Sequence, residues 1–253
     1  MPSNFRPWRV AITRDEDREG PLASALIAAG LTPCPCAVFV EAPPDDPAVL
    51  TATAHDLDRF DWVIVASARA VAALSRARGR PWPAHLRTAA VGEATARALV
   101  AAGVSVPPAV GEGDGAEALW ATLACLMAWG GVRVLVPTTP GGRTELADRL
   151  SAAGALVTSV DAYRMVARPT AAIVEDWTRA VPDAVVVASA RAAETLCDAI
   201  GSVAMRAVSV VAIGATTAAA LDRLGVPCRR PARAGFGDVA RLLAARQAME
   251  RSA

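Results

Sequence analysis

The sequence predicts an α/β protein built from two diverged copies of one half, each a parallel sheet covered by helices on both faces in the doubly wound, flavodoxin-like manner. Three observations carry this expectation. Long segments recur at a fixed offset, short β-rich runs alternate with helical patterns, and those runs are apolar throughout instead of alternating, as strands buried on both faces are.

The repeat comes first. WVIVASARAVAALSRA, residues 62–77, returns 122 residues later as AVVVASARAAETLCDA, matching Ser67 with Ser189 and Arg69 with Arg191. The same offset sets AAVGEATARALVAAGV, from Ala89, opposite VAIGATTAAALDRLGV, from Val211, pairing Gly92 with Gly214, Thr95 with Thr217 and Gly103 with Gly225. A weaker echo sets Gly113 and Gly115 against Gly235 and Gly237. Upstream, RVAI at Arg9 followed by LASALIAAG matches RVLV at Arg133 followed by LADRLSAAG, at an offset of 124. A slip of two residues is one loop adjustment, and Ala-rich composition alone does not hold an offset across separate segments.

Each copy reads as strand, turn, helix. The runs Val10 to Thr13, Trp62 to Val65, Val132 to Val136, Ala184 to Val187 and Val208 to Ile213 pass into apolar patterns at helical spacing. Gly30, Gly103, Gly154 and Gly225 close helices at positions suited to a left-handed cap. Two proline-marked segments, EAPPDDP at 41–47 and RPT at 168–170, follow short β-like runs and read as crossings between domains. They set one domain at residues 1–37 with 169–253, another at 42–161, and linker segments at 38–41 and 162–168.

Composition removes whole classes. The chain has 253 residues, 53% of them hydrophobic, enough for a generous core. Apolar stretches such as Val63 to Ala66 fall far short of a membrane span, and Met1 to Arg9 has no apolar core of a secretory signal, so a cytoplasmic location is expected. Lys and Arg total 26 against 25 acidic residues, which provides no field to draw nucleic acid or an anionic bilayer. The cysteines, Cys34, Cys36, Cys125, Cys197 and Cys228, are odd in number without a C-x-x-C and read as buried thiols. With His55 and His85 the only histidines, no metal site is expected.

Open parallel sheets bind ligands beyond the carboxyl ends of their strands. The loops there are Thr13-Arg14, Ser67-Ala68-Arg69, Gly92-Glu93-Ala94-Thr95, Pro140-Gly141-Gly142-Arg143, Ser189-Ala190-Arg191 and Gly214-Ala215-Thr216-Thr217. Each offers hydroxyls, glycines or arginines at a helix start, where free backbone amides and the positive end of the dipole favour carboxylate or phosphate. Taken singly, a Ser or Thr in such a place is an N-cap worth ~1 kcal/mol. Six such loops point to a site for a flexible polyanion. No G-x-G-x-x-G follows a strand, since Gly111 to Gly115 follows Pro107-Pro108-Ala109-Val110 instead. A P-loop lysine, a hydrolytic triad and an H-E-x-x-H are also absent. Tyr163, the only tyrosine, stands in VDAYRMVARP, and its counterpart in the repeat is Phe39. Read from the residues alone, it is either an interfacial packing residue or a functional phenol.

Together, the TR after the first strand, WVIVASARAV, AAVGEATARAL, RVLVPTTPGGRTELADRLSAAGALVTSVDAYR and VVAIGATTAAALDRLG resemble uroporphyrinogen-III synthase, over about residues 9–245. The resemblance implies two α/β domains joined by a two-stranded linker, the first domain discontinuous in sequence. It also implies a reaction: hydroxymethylbilane, a linear tetrapyrrole with eight carboxylates, loses water and closes with inversion of its terminal ring through a spiro intermediate, without cofactor or metal, in tetrapyrrole and heme biosynthesis. Tyr163 matches the family's tyrosine and would donate a proton to the departing hydroxyl. A phenol, ordinarily ionising near pH ~10, suits a donor better than a base. Gly92, Thr95, Gly142, Gly214, Thr216 and Thr217, with Thr13, Arg14, Ser67 and Ser189, would hold carboxylates. Arg69, Arg143 and Arg191 are additions outside the family pattern, and each either pairs with acetate or propionate groups or stands solvated on the surface.

Ala215 stands where the family commonly has proline, and Ala66 and Ala68-Arg69 replace bulkier or amide residues. Those departures keep open a noncatalytic tetrapyrrole-binding or sensor protein of the same fold. A two-lobed solute binder is a third reading, and it does not account for the tyrosine. The expected partner is the small-molecule substrate, with no nucleic acid and no membrane, the chain acting as a monomer with at most a transient contact to the bilane-forming enzyme.

Overall fold

The structure is a computed structural model, and it describes residues 6–105, 108–111, 115–233 and 235–251. The glycine-rich run at 112–114, with the pairing expected for Gly113, lies outside the described residues, as does Pro107.

From the amino end, β1 (Arg9–Ile12), α1 (Pro21–Ala28) and β2 (Thr32–Pro35) make a strand-helix-strand unit, and β3 (Phe39–Ala42) follows. Next come α2 (Pro47–His55), a 3-10 turn at Leu57–Arg59, β4 (Trp62–Val65), α3 (Ala68–Arg78), β5 (Arg87–Ala90), α4 (Glu93–Ala101), β6 (Ala109–Val110) and α5 (Gly115–Leu126). The second half opens on β7 (Arg133–Thr138), α6 (Glu145–Ala152), β8 (Leu156–Asp161) and β9 (Arg164–Ala167). It continues through α7 (Thr170–Ala180), β10 (Ala184–Val187), α8 (Ala190–Arg206, broken at Gly201), β11 (Ser209–Ala212), α9 (Ala215–Arg223) and α10 (Phe236–Arg251).

The chain divides into two compact units, Met1–Val40 with Met165–Ala253, and Glu41–Arg164. The first holds a sheet ordered β11-β10-β1-β2, and the second one ordered β6-β5-β4-β7-β8. Every strand pair with a given register in these two sheets is parallel. The chain passes between the units in β3 and β9, which pair as a two-stranded sheet. Counted along the chain, the second sheet reads 3-2-1-4-5, so the winding reverses between β4 and β7. The first sheet, counted the same way from β2, reads 2-1-3-4 with its reversal between β1 and β10, the flavodoxin order, and the doubly wound layering is as expected.

Burial on both faces explains why the strands are apolar without alternation. In the second unit Val63 and Val65 pack with Leu50, Leu57, Phe60 and Leu74, while Trp62 and Ile64 pack with Leu119, Leu123, Trp129 and Leu150. The first unit repeats this, Val185 and Val187 meeting Leu196 and Leu221, and Val10, Ile12 and Val186 meeting Leu22, Leu26 and Leu243. Each large side chain removed from water in this way contributes roughly 1.5–3 kcal/mol.

The two sheets also expose the duplication. At the offsets read from sequence, β4, β5, β7 and β8 correspond to β10, β11, β1 and β2, and the two strand orders superpose in that correspondence. Each repeat therefore gives its first strand-helix-strand to one unit and most of its remainder to the other. A paired feature invisible to local pattern marks both copies. Asp61, just ahead of β4, accepts the Arg133 amide at 2.8 Å, and Asp183, just ahead of β10, accepts the Arg9 amide at 2.7 Å. Both carboxylates thus clamp the start of the neighbouring strand.

Gly154, at φ +90°, closes α6 in the left-handed region, and a Cβ there would lie 3.2 Å from the Gly130 Cα. Cys34, Cys36 and Cys197 are buried as expected, but Cys125, late in α5, is exposed. Its turn of helix faces away from the core that Leu119 and Leu123 enter. Burial pushes the Cys36 thiol up to about 12. No described helix is long and apolar enough to cross a membrane.

Candidate active site

In the second unit, the winding reversal lies between β4 and β7, the place where doubly wound sheets open a crevice. A cavity of about 320 Å³ lies there. Its wall includes Ala66 and Ser67 from the end of β4, Thr138 and Thr139 from the end of β7, then Gly142, Arg143 and Tyr163.

Ser67 is the N-cap of α3, its Oγ accepting the Ala70 amide at 3.1 Å. The same oxygen lies 3.1 Å from the Tyr163 hydroxyl. Tyr163 is carried to this point by the β7–β8 ladder, which pairs Thr138 with Asp161, and by the Ala162 amide donating to the Thr138 carbonyl at 2.9 Å. Its ring rests half-buried on the core of the unit, with the hydroxyl toward Ser67. Since Ser67 Oγ already accepts from Ala70, it can turn its own proton to the phenol oxygen and leave the phenol proton for a ligand.

Gly142 is needed for close approach. Its amide donates to the Thr139 carbonyl at 2.7 Å, and a Cβ would fall 2.5 Å from Thr138 Oγ1. The turn thereby folds back on the two threonines and sets Arg143 at the cavity wall, exposed and without an ion pair among the described residues. Thr138 and Thr139 were missed in the sequence. They are the first polar residues at the end of a buried strand, the same signal that marks Ser67, and stand directly before the Pro-Gly-Gly turn.

Arg69 is otherwise engaged, its Nε 3.4 Å from Glu41 Oε2, and Glu41 also takes Arg76 at 2.9 Å. At the end of β5, Gly92 is the uncapped N-cap of α4, with nothing within 4 Å of its Cβ position, so its flank is open to a ligand. Thr95, one turn on, is buried at 6% exposure.

The first unit arranges its counterparts at the carboxyl ends of β1, β10 and β11. Thr13 is 2% exposed, and its hydroxyl donates to the Val186 carbonyl and accepts the Ala188 amide, both at 3.1 Å. It ties β1 to β10 and turns no capacity outward. Arg14 is held by Glu16 at 3.1 Å and lies over the Phe236 ring. Ser189 repeats Ser67 as an N-cap, accepting the Ala192 amide at 3.1 Å. Arg191 lies over the Phe39 ring, 4.5 Å from its centre. Gly214 opens α9 with no side-chain cap, Thr216 is exposed, and Thr217 is buried like Thr95. No group of three or more His, Cys, Asp or Glu suited to a metal converges among the described residues.

Residues 20–239 match the sequence profile of the family described as uroporphyrinogen-III synthase HemD. The chain belongs to the uroporphyrinogen-III synthase family. Solved structures agree in fold. Uroporphyrinogen-III synthetase from Helicobacter pylori matches at a TM-score of 0.64 and 13% identity, covering 96% of this chain and 100% of that one. A mutant uroporphyrinogen III synthase from the extremely thermophilic bacterium Thermus thermophilus matches at 0.56 and 23% identity, covering 95% and 99%. No curated protein matches the chain. Family membership associates this uroporphyrinogen-III synthase-type chain with porphyrin and heme biosynthesis as a class.

Proposed function

We propose that the chain converts hydroxymethylbilane to uroporphyrinogen III, inverting the terminal ring with loss of water. The observation that carries this reading is the Tyr163 phenol, 3.1 Å from a serine that can donate to it, at a cavity on the winding reversal of a parallel sheet. The phenol would protonate the departing hydroxyl, which leaves as water and generates a pyrrole-stabilised cation. Attack by the substituted carbon of the terminal ring gives the spiro intermediate. Rearrangement and closure release a proton from the joined pyrrole carbon, which restores the phenol. Electrons are neither gained nor lost in this sequence, so its chemistry calls for no redox cofactor.

Carboxylate groups would be held in the second unit by the open amides after Gly92 and by Arg143, and in the first unit by those after Gly214 and by Thr216, Ser189 and Arg191. Most of the rate would come from positioning, because the free bilane closes unaided in the uninverted sense and the protein must favour the spiro transition state over that closure.

The test is an assay in which the bilane is generated in situ and the product isomers are separated after oxidation. The inverted type III isomer is expected to dominate. A product mixture left at the spontaneous type I outcome would overturn the enzymatic reading and leave a tetrapyrrole-binding protein.

A further inference from the structure

The two copies treat the same arginine in opposite ways. Ser67 and Ser189 cap α3 and α8 identically, and two residues on stand Arg69 and Arg191. Arg69 is matched by Glu41, on the strand that enters the second unit. At the offset of 124 the counterpart of Glu41 is Met165, so the acid is gone from the other copy. The counterpart of Tyr163 is Phe39, and there the ring carries the guanidinium of Arg191 at 4.5 Å instead of a hydroxyl. Among the described residues no carboxylate pairs with Arg191, whose residue is exposed while Phe39 is 9% exposed.

We propose that Arg191, laid on Phe39, is a carboxylate-binding subsite of the first unit, and that Glu41 has silenced its twin in the second. The substrate's identity rests on the reading above; the charge recognition does not. A ring beneath a guanidinium holds it by cation–π attraction and leaves its planar edge of N–H donors pointing outward, the fork that pairs bidentately with a carboxylate. Arg191 also stands in the first turn of α8, where the dipole favours an arriving anion. Arg69 has the same placement on α3, but an anion there would first have to displace Glu41. The copies have thereby divided the work: the second unit keeps the phenol and a neutralised arginine, and the first gives up the phenol for an arginine with unspent charge. Phe39 acts through Arg191 and is a positioning residue.

The experiment uses the full chain and two readouts, turnover and fluorescence titration with uroporphyrin I, a stable octacarboxylate. Arg191→Gln should weaken porphyrin binding and raise KM by about tenfold at low salt, with kcat within about twofold, and the difference should shrink as salt rises. Arg69→Gln should change both by less than about twofold. Phe39→Leu should move KM in the same direction as Arg191→Gln by a smaller factor, and Phe39→Tyr should restore it. If Arg191→Gln binds the porphyrin as the parent does, the subsite is overturned whatever Phe39→Leu does; if Arg69→Gln and Arg191→Gln weaken it equally, the division of work is overturned. Weakened porphyrin binding in Arg191→Gln with no type III product from the parent would uphold the subsite and sink the enzymatic reading alone.

Discussion

The Tyr163 hydroxyl and Ser67 Oγ lie 3.1 Å apart, joining the crossing between β8 and β9 to the N-cap of α3. Phe39 and Ser189, the same positions in the other copy, cannot make this contact, because phenylalanine has no hydroxyl. Only the second unit, then, has an acidic proton at this point of the repeat. Tyr163→Phe should lower kcat by roughly tenfold to a hundredfold without abolishing turnover, since positioning survives the loss of the donor. Ser67→Ala should cost about 1 kcal/mol of stability through the lost cap and lower kcat by less. Because both act through one hydrogen bond, the double variant should be no slower than Tyr163→Phe. Steady-state rates with isomer analysis decide it; full rate in Tyr163→Phe would remove the proton-donor role.

Much of this was legible beforehand, for reasons that are local. Val63 to Val65 and Val185 to Val187 read as doubly buried strands because their apolarity is contiguous, and Ser67 and Ser189 read as helix starts because a cap acts within a turn. What stayed hidden depends on partners distant in sequence. Nothing near Thr13 says that its hydroxyl bridges Val186 and Ala188, and nothing near Arg69 says that Glu41 waits for it. The Asp61 and Asp183 clamps escaped notice for the same reason, although they obey the repeat offset and a search for paired polar residues would have found them.

Glycines 92 and 142 should respond differently to the same change. In Gly142→Ala the new Cβ would meet Thr138 Oγ1 at 2.5 Å and the Thr139 carbonyl at 2.8 Å. The threonine side chain can rotate, but the carbonyl is backbone and holds the Gly142 amide, so the turn must shift. A drop in kcat/KM of about tenfold or more is expected, because a small misplacement at the cavity wall is costly to orientation. Gly92→Ala meets nothing within 4 Å on extended backbone, so it should cost only about 0.5 kcal/mol as a poorer cap and act mainly on KM. Thermal melts beside kinetics separate the cases. A Gly142→Ala protein with parental kcat/KM would contradict the close approach.

Stability should fall on the acid side partly through Asp61. The Arg133 amide, and then its guanidinium, hold this carboxyl below the usual carboxylate range against an opposing desolvation effect. A depressed folded value means that Asp61 adds stability above its unfolded pKa of ~3.9 and loses that contribution as pH falls through the lower folded one. The side chain is 46% exposed, so solvent screening limits the contribution to roughly 0.5–1 kcal/mol. Asp61→Asn should therefore be less stable than the parent near neutral pH, and the gap should close progressively below about pH 4. Urea midpoints measured across that range check it, and a gap that widens on acidification would reverse the sign of the argument.

Arg78 is the buried charge among the described residues of the second unit, 4% exposed, and its partners are mostly carbonyls. It donates to Pro81 at 2.9 Å, to Ala54 at 2.8 Å and to His55 at 3.4 Å, with Asp58 at 3.2 Å as its ion pair. Ala54 and His55 end α2, so the guanidinium also neutralises the negative end of that helix. Asp58 is 56% exposed and contributes little by itself, which makes the carbonyls the larger part of what Arg78 stabilises. Arg78→Met should fill the volume yet leave those acceptors unmet, costing about 2–4 kcal/mol. Arg78→Lys should recover less than half of that, since one ammonium cannot span three carbonyls and a carboxylate. Trp62, Trp82, Trp120 and Trp129 lie in this unit, so tryptophan fluorescence in urea weights its unfolding. A second signal separates lost contacts from general loosening: Asp58, now held low chiefly by its hydrogen bond from Arg78, should titrate closer to an ordinary carboxylate in Arg78→Met. If the urea midpoint and the Asp58 titration both stay at parental values, Arg78 is not what secures the end of α2.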